Sequence, residues 1–351
     1  MKTPKPRKLK SGNWFVQLRL NGESIPITAE TETECRHLAE LIKAEHNTGK
    51  RVVKKTPKGT TLKEAMEKFI AENKATLSPS TVRSYTFYVK SRFPDYINKP
   101  INKINWQEMI DKELEIVSGK TVKNAWALVT PSLKNIGYPV PTVRLAKVPV
   151  KEIPVLQPEE IVPFCEAVKG KPYEIAALLE LHGLRLSEVR GLKWENIDLK
   201  NNVINVSGAK VTGIDGDIYK QTNKNQTSTR PVPIMIPQLK EALNAVQDKT
   251  GFVVSQTSRN LLKDINRACI KAGVTVCSNH SLRHSFASLC FFLGIPMKQI
   301  EEWGGWGNST VLNRIYIRLS ASAKTDNQKA FEKFFKNQNA NKMLTDSEKC
   351  L

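Results

Sequence analysis

The chain of 351 residues contains 54 lysine and arginine residues against 34 aspartate and glutamate residues, which gives a net charge of +20 at pH 7. Hydrophobic residues make up 40% of it, enough for a buried core, so the composition excludes a wholly disordered protein. The excess of positive charge predicts a polyanionic partner, either nucleic acid or an anionic membrane surface. The sequence has no run of ~18 apolar residues and no secretory signal, so we expect nucleic acid and no membrane.

The six cysteines are scattered along the chain without a C-x-x-C pair. This spacing predicts reduced thiols in a cytosol, buried as small apolar side chains, rather than a disulfide framework or a zinc site. Cys269, Cys277 and His280 are the one grouping that could suggest a metal cluster, and we expect no metal there. The cysteines are Cys35, Cys165, Cys269, Cys277, Cys290 and Cys350.

Residues 1–58 form a small basic unit, with five basic side chains and no acid in the first ten residues. Residues 14–20 alternate apolar and polar side chains, and Asn21-Gly22 is a strong signal for a hairpin turn into a return strand. Thr31-x-x-Glu34 predicts a capping box at the start of a helix. The unit is therefore a small sheet backed by one helix, and its charge favours contact with nucleic acid over a merely solvated surface.

Residues 59–145 are predicted to be helical. Thr61-x-x-Glu64 is a second capping box, and apolar residues at helical spacing follow it. Further helices are expected near residues 106–117 and 122–133. Five prolines between residues 139 and 158 cannot sustain a helix and predict an extended linker between domains.

Residues 146–336 alternate predicted helices with strands near residues 203–206, 214–220 and 229–236, and residues 337–351 are a polar tail. Four short segments stand out in this region because they combine arginine, lysine, histidine and tyrosine at defined spacings. They are His182-Gly183-Leu184-Arg185-Leu186-Ser187-Glu188, the hairpin segment 224–233, His280-Ser281-Leu282-Arg283-His284-Ser285, and Gly304-Gly305-Trp306-Gly307-Asn308 followed by Tyr316.

The residue types in these segments suit cleavage of a phosphodiester. Arg185 and Arg283 each offer a planar fork of donors to phosphate oxygens. A tyrosine hydroxyl is a nucleophile once its neighbours assist it, and a lysine of lowered pKa can protonate the departing 5′ oxygen. No paired acidic residues suggest a metal cage, so a metal-free transfer through a phosphotyrosine fits better than a two-metal nuclease.

In these segments the sequence resembles the tyrosine recombinases, the phage and conjugative-transposon integrases that share a catalytic domain with type IB topoisomerases. The family pattern is an arginine in a G-L-R-x-S-E turn, a hairpin lysine, H-x-x-R, a histidine or tryptophan, and a tyrosine. The resemblance implies a multidomain fold with a small α+β amino-terminal arm-binding domain (1–58) and an all-α core-binding domain (59–145). A mixed, mainly α catalytic domain with a small antiparallel sheet (146–336) would follow.

The resemblance also implies roles for individual side chains. Lys224 is the expected general acid, with Lys220 as its rival, and His280 is preferred over its neighbour His284. Trp306 stands where most members of the family carry histidine. The alternative interpretation is that Trp306 is an aromatic residue of the core. The nucleophile lies ten residues after this tryptophan, where the family usually shows nine. The implied catalytic residues are Arg185, Lys224, His280, Arg283, Trp306 and the nucleophile Tyr316.

The implied function is site-specific integration or excision of a mobile element, such as a viral genome, in the cytoplasm of a bacterial host. The expected partners are double-stranded DNA attachment sites and other protomers, with four protomers on two duplexes, besides DNA-bending and excision proteins. No cofactor is expected. A type IB topoisomerase and a non-catalytic DNA-binding regulator are the alternatives. Phe331, Phe334 and Phe335 predict a terminal helix that docks either on its own domain or on a neighbouring protomer.

Overall fold

The computed structural model of the chain describes residues 3–20, 23–47, 59–149, 153–221 and 229–307, together with residues 310, 312, 313 and 315. The chain divides into two compact units, residues 1–150 and residues 151–351. Several features singled out above lie outside the described residues. They are the Asn21-Gly22 turn, Lys224, Tyr316, the phenylalanines Phe331, Phe334 and Phe335, and the polar tail.

The first unit begins with a three-stranded antiparallel sheet in the order β1-β2-β3, followed by a helix. The predicted alternation is confirmed, because Val16, Leu18 and Ile27 are buried on one face of the sheet and pack with Cys35 and Ala39 of the helix. The two-residue strand β1 was not predicted, since so short a strand has no readable periodicity. The elements are β1 (Arg7–Lys8), β2 (Trp14–Leu20), β3 (Glu23–Ala29) and α1 (Glu32–Asn47).

Four further helices and a short 3₁₀ turn share a second core in this unit. A threonine, serine or asparagine precedes each of the four helices and accepts a hydrogen bond from a backbone N–H three residues later, as polar N-caps do. Both bonds of the capping box predicted at Thr61 and Glu64 are present. The helices are α2 (Leu62–Asn73), α3 (Pro79–Ser91), α4 (Trp106–Ile116) and α5 (Gly119–Asn135).

The proline-rich stretch is not a free spacer along its whole length. Residues 139–149 contain no helix or strand, as the prolines predict. Val140, Val143 and Leu145 nevertheless pack against the helical core, and the Arg144 backbone N–H donates to Gln107 Oε1 at 2.8 Å. The predicted linker between domains is therefore corrected here: its first part belongs to the helical unit, because alternating apolar side chains give it a surface to bury.

The second unit combines seven helices and five strands among its described residues. One sheet is antiparallel in the order β4-β5-β8, and β6 and β7 pair as a separate hairpin. The predicted strand at 214–220 begins only at residue 217, because residues 213–216 form the turn, and β6 before it was missed. The helices are α6 (Pro158–Val168), α7 (Glu174–Leu181), α8 (Leu186–Gly191), α9 (Pro237–Ala245), α10 (Ser258–Ala272), α11 (Asn279–Phe292) and α12 (Met297–Gly304). The strands are β4 (Ile197–Asp198), β5 (Val203–Val206), β6 (Ala209–Thr212), β7 (Asp217–Lys220) and β8 (Arg230–Pro233).

The core of the second unit is built around α7, which is buried over most of its length. The helix packs on α9 and α11, and apolar residues of β5 and β8 close the same cluster. A satellite cluster joins α11 and α12 to residues 312 and 315. It contains Phe286, Ala287, Cys290, Ile300, Leu312 and Ile315.

The five cysteines in the described part of the chain are free thiols, and their side chains are buried as the sequence predicted. No described helix is both long enough and apolar enough to cross a membrane.

Glu180 of α7 is a carboxyl group within this core. It is fully buried, and its Oε1 accepts a hydrogen bond from Asn279 Nδ2 of α11 at 2.9 Å. Its Oε2 has no hydrogen-bond partner in the described structure. Burial raises the pKa of Glu180 to about 8, against the opposing effect of the Asn279 hydrogen bond, so the folded protein holds this carboxyl in its neutral form at pH 7.

The raised pKa predicts a specific pH dependence of stability. Between pH 4.5 and 8 the unfolded chain releases the Glu180 proton while the folded chain retains it, so the free energy of unfolding falls as pH rises. Glu180→Gln keeps a neutral side chain of the same shape, so its free energy of unfolding should not fall in this way as pH rises. In urea unfolding the variant should therefore gain stability relative to the wild type between pH 5 and pH 8.

The matched control is Glu166→Gln, which changes an exposed glutamate on α6. This control should follow the wild-type pH dependence. If Glu180→Gln and Glu166→Gln show the same dependence, Glu180 does not hold its proton in the folded state.

Candidate active site

Arg185 lies at the turn between α7 and α8, at the N-cap of α8. The turn requires glycine before it, because Gly183 has φ +91° and a Cβ there would lie 2.7 Å from the Phe286 ring. The Arg185 guanidinium donates to Glu188 Oε1 at 2.6 Å and to the carbonyl of Gly305. Its side chain is 37% exposed, so one side of the guanidinium remains open to a ligand.

Arg283 lies in the first half of α11 and is almost completely buried. Its Nη1 donates to the Gly183 carbonyl at 2.5 Å, and its guanidinium lies 3.9 Å from the centre of the Trp306 ring. Trp306 in turn stacks on Phe286, with an angle of 6° between the ring planes. Burial, together with the charge of Arg185, holds the pKa of Arg283 well below its ordinary value.

Glu188 is the carboxylate that the arginines of the site share. It is buried, and it accepts hydrogen bonds from Arg230 Nη1 and Nη2 at 3.2 and 3.0 Å as well as from Arg185. Arg283 Nη1 lies 4.0 Å from its Oε2. Burial alone would raise the pKa of Glu188, but the hydrogen bonds and charge of Arg230, with those of Arg185, outweigh it and lower that pKa. The carboxylate is therefore ionised.

Arg230, the first residue of β8, ties the sheet to the end of α12. Its Nε donates to the Trp303 carbonyl at 2.7 Å. The next turn depends on glycine, because Gly305 has φ +66° and a Cβ there would come within 2.7 Å of Arg230 Nη1. Arg185 and Arg230 thus bind the carbonyls of Gly305 and Trp303, on either side of Gly304, where the chain leads into Trp306.

His280 lies at the start of α11, one turn before Arg283, and its side chain reaches the surface. Its ring centre is 4.4 Å from that of His284, which is buried one turn later. Partial desolvation, followed by the charges of Arg283 and Arg185, lowers the pKa of His280. The histidine is thus neutral at pH 7 and able to exchange a proton with a ligand.

The structure brings four of the six predicted site residues into one cluster, namely Arg185, His280, Arg283 and Trp306. The other two, Lys224 and Tyr316, lie outside the described residues, while the rival Lys220 ends β7 and is half-buried. Sequence reasoning missed Arg230, and it gave Glu188 no role beyond its place in the segment that contains Arg185.

Both missed residues lie within the segments that the sequence singled out, but nothing local indicates that they are buried together. Their meeting depends on a side-chain contact between residues 42 positions apart in the chain. The chemical outcome is a cluster of three guanidinium groups around one carboxylate, with a net charge of +2 and one open side. Such a site suits a planar or tetrahedral oxyanion such as a phosphate group.

Breaking the buried pair between Arg230 and Glu188 should destabilise the protein strongly. Arg230→Met removes two hydrogen bonds to Glu188 and one to the Trp303 carbonyl, while Arg185 remains paired with the carboxylate. Loss of one partner of a buried pair typically costs about 3–5 kcal/mol of unfolding free energy, and the remaining pair with Arg185 places the expected loss near the lower end. The control is Arg267→Met on α10, which removes a 3.4 Å pair with Asp264 whose arginine is 75% exposed and should cost less than about 1 kcal/mol. Urea unfolding measures both, and equal losses would contradict a special role for the buried pair.

Comparisons with known proteins agree with this geometry. Residues 154–323 match the model of the phage integrase family. A tyrosine recombinase XerC-like protein of Caldanaerobacter subterraneus subsp. tengcongensis is 32% identical over 206 residues, which cover 50% of this chain and 53% of that protein. The chain thus spans about half the length of this curated relative.

Solved structures share the fold. The integrase of transposon Tn1549, in complex with a circular intermediate DNA, superimposes with a TM-score of 0.60 at 17% identity, over 76% of this chain and 99% of that one. The lambda integrase tetramer bound to a Holliday junction gives a TM-score of 0.54 at 15% identity, over 89% of this chain and 95% of that one. The family match and the arginine cluster lead to a conclusion about this region of the chain: residues 154–323 form a phage integrase domain, similar to that of the tyrosine recombinases.

Proposed function

We propose that the chain is a site-specific DNA recombinase that cleaves and rejoins DNA through a 3′-phosphotyrosine on Tyr316, to integrate or excise a mobile element. The observation that carries this proposal is the net charge of +2 on the cluster of Arg185, Arg230, Arg283 and Glu188, open on the side of Arg185. A scissile phosphodiester supplies the negative charge that this cluster lacks.

In the proposed reaction the Tyr316 oxygen attacks the phosphorus, and the bond from phosphorus to the 5′ oxygen breaks. Arg185 and Arg283 donate to the non-bridging oxygens, where charge develops in the transition state. Lys224 gives its proton to the departing 5′ oxygen, and His280 exchanges a proton with the attacking hydroxyl or the phosphate. The reverse steps, with a new 5′ hydroxyl as nucleophile, rejoin the strands, so the reaction consumes no external energy source.

The assignment of Tyr316 as nucleophile draws support from its chain neighbours. Leu312 and Ile315 are buried in the satellite cluster with Phe286 of α11. Phe286 also stacks on Trp306, which lies under Arg283. The residue directly before Tyr316 is therefore anchored in the same cluster of aromatic side chains that supports the arginine.

We extend the proposal to the partners of the chain. The lambda integrase tetramer bound to a Holliday junction is the precedent for four protomers acting on two duplexes. By analogy, this chain would assemble on paired attachment sites in the cytoplasm of a bacterial host, with DNA-bending and excision proteins as accessory partners. The helix predicted around Phe331 would contribute to that assembly.

The amino-terminal sheet is the proposed site for a second DNA contact, at arm sites distinct from the crossover site. Gln17 and Arg19 of β2 lie exposed on the face opposite α1, paired with Pro26 and Ser24 of β3. Arg7 of β1 covers the Phe15 ring on that face, at 5.3 Å. A small sheet with cationic and amide side chains on its open face fits the major groove of DNA.

The nucleophile can be tested by trapping the covalent complex. On a nicked duplex that loses its 5′ fragment after cleavage, the wild type should accumulate a covalent protein–DNA adduct. Tyr316→Phe removes only the hydroxyl, so it should bind the duplex and form no adduct, whereas Tyr219→Phe should form it normally. Denaturing gels measure the adduct, and an adduct formed by Tyr316→Phe would assign the nucleophile elsewhere.

The arm contact is tested by changing the open face of the sheet. Arg19→Ala should weaken binding to arm-site DNA by about tenfold or more, as loss of a base contact costs about 1–3 kcal/mol. Arg36→Ala, on the exposed side of α1, is the matched control and should bind normally. Both should cleave the crossover site as the wild type does. If Arg19→Ala loses arm binding and crossover cleavage equally, the unit belongs to the core clamp.

A further inference from the structure

The β6–β7 hairpin leads directly into the segment that carries Lys224. Its second strand ends at Lys220, and the chain re-enters the sheet at β8 with Arg230. The end of the hairpin near Lys220 lies against α8 at close range, since a Cβ on Gly191 would lie 2.7 Å from Ala209 Cα. A two-stranded hairpin is marginally stable alone, so its position depends on such contacts with the domain.

The turn end of the hairpin is held by Arg190 of α8, whose side chain is only 5% exposed. Its Nη2 donates to Asp217 Oδ2, and its Nη1 donates to Ser258 Oγ at 2.9 Å and to Thr212 Oγ1 at 3.4 Å. Its Nε donates to the Gln256 carbonyl at 3.4 Å. Thr212 and Asp217 are paired across the hairpin, and the threonine hydroxyl donates to Asp217 Oδ1 at 2.9 Å. One buried guanidinium therefore joins α8, the hairpin and the start of α10.

We infer that Arg190 and Asp217 form a positioning pair that sets the hairpin, and with it the proton-donating lysine, relative to Arg185. This inference rests on the proposed function. Arg185 caps the start of α8 and Arg190 lies in its last turn, so a helix of six residues carries both the phosphate-binding arginine and the anchor of the hairpin.

The proposed reaction requires the hairpin to be held in a fixed position. A general acid acts only within hydrogen-bond reach of the leaving oxygen, while Arg185 must contact the same phosphate. The contact between Gly191 and Ala209 fixes only one end of the hairpin against α8. The fork of Arg190, with four different acceptors, fixes its direction as well. Neither Arg190 nor Asp217 touches the reacting atoms in this scheme.

The test compares two leaving groups on the full-length chain. One nicked duplex carries the ordinary 5′ oxygen at the scissile phosphate, and the other carries sulfur there, which departs as a thiolate without a proton. Asp217→Asn should slow cleavage of the oxygen substrate by about tenfold or more, within the ~10²–10⁴ that a positioned acid contributes. It should cleave the sulfur substrate at nearly the wild-type rate.

The matched control is Asp215→Asn, an acid in the same hairpin turn, which should leave both rates unchanged. Arg190→Lys keeps the charge but loses the planar guanidinium with its several donors, so it should also slow cleavage of the oxygen substrate alone. Lys224→Ala should show the largest loss on the oxygen substrate. Equal losses on both substrates, or no loss on either, would overturn the positioning role of Asp217. A wild type that cleaves neither substrate would instead contradict the proposed function.

Discussion

The buried carboxylate of Glu188 is the constraint on which the site depends. Guanidinium groups repel one another and are costly to bury, so several of them gather in one place only around a shared counter-ion. Glu188 pairs with Arg230 at 3.0 Å and with Arg185 at 2.6 Å, and it lies 4.0 Å from Arg283. It therefore joins α8, β8 and α11, which are far apart in sequence.

The three arginines around Glu188 have different roles. Arg230 donates to both oxygens of Glu188 and to the Trp303 carbonyl, so these hydrogen bonds serve the fold. Arg185 keeps an open side, and Arg283 lies against the Trp306 ring. One carboxylate cannot neutralise all three charges. In the proposed function an incoming phosphate balances the remaining positive charge, and the same charges that cost stability in the free protein contribute to the binding of DNA.

Much of this could be predicted from the sequence. Arg185, His280, Arg283 and Trp306 belong to short motifs at the ends of helices, where local signals are strong, and the structure brings them together. The role of Arg230 could not be predicted, because its burial comes from the pairing of β8 with β5 and from the contact with α12. The strand β6 was missed for a related reason, since its side chains are all half-buried and show no alternation.

The most direct test of the division among the arginines is a structure of the chain covalently joined to a nicked duplex. We expect Arg185 and Arg283 to lie within hydrogen-bond distance of the phosphate attached to the tyrosine. We expect Arg230 to remain paired with Glu188 and with the Trp303 carbonyl. A structure in which Arg230 contacts the phosphate, while Arg185 remains on Glu188 and the Gly305 carbonyl, would contradict these separate roles.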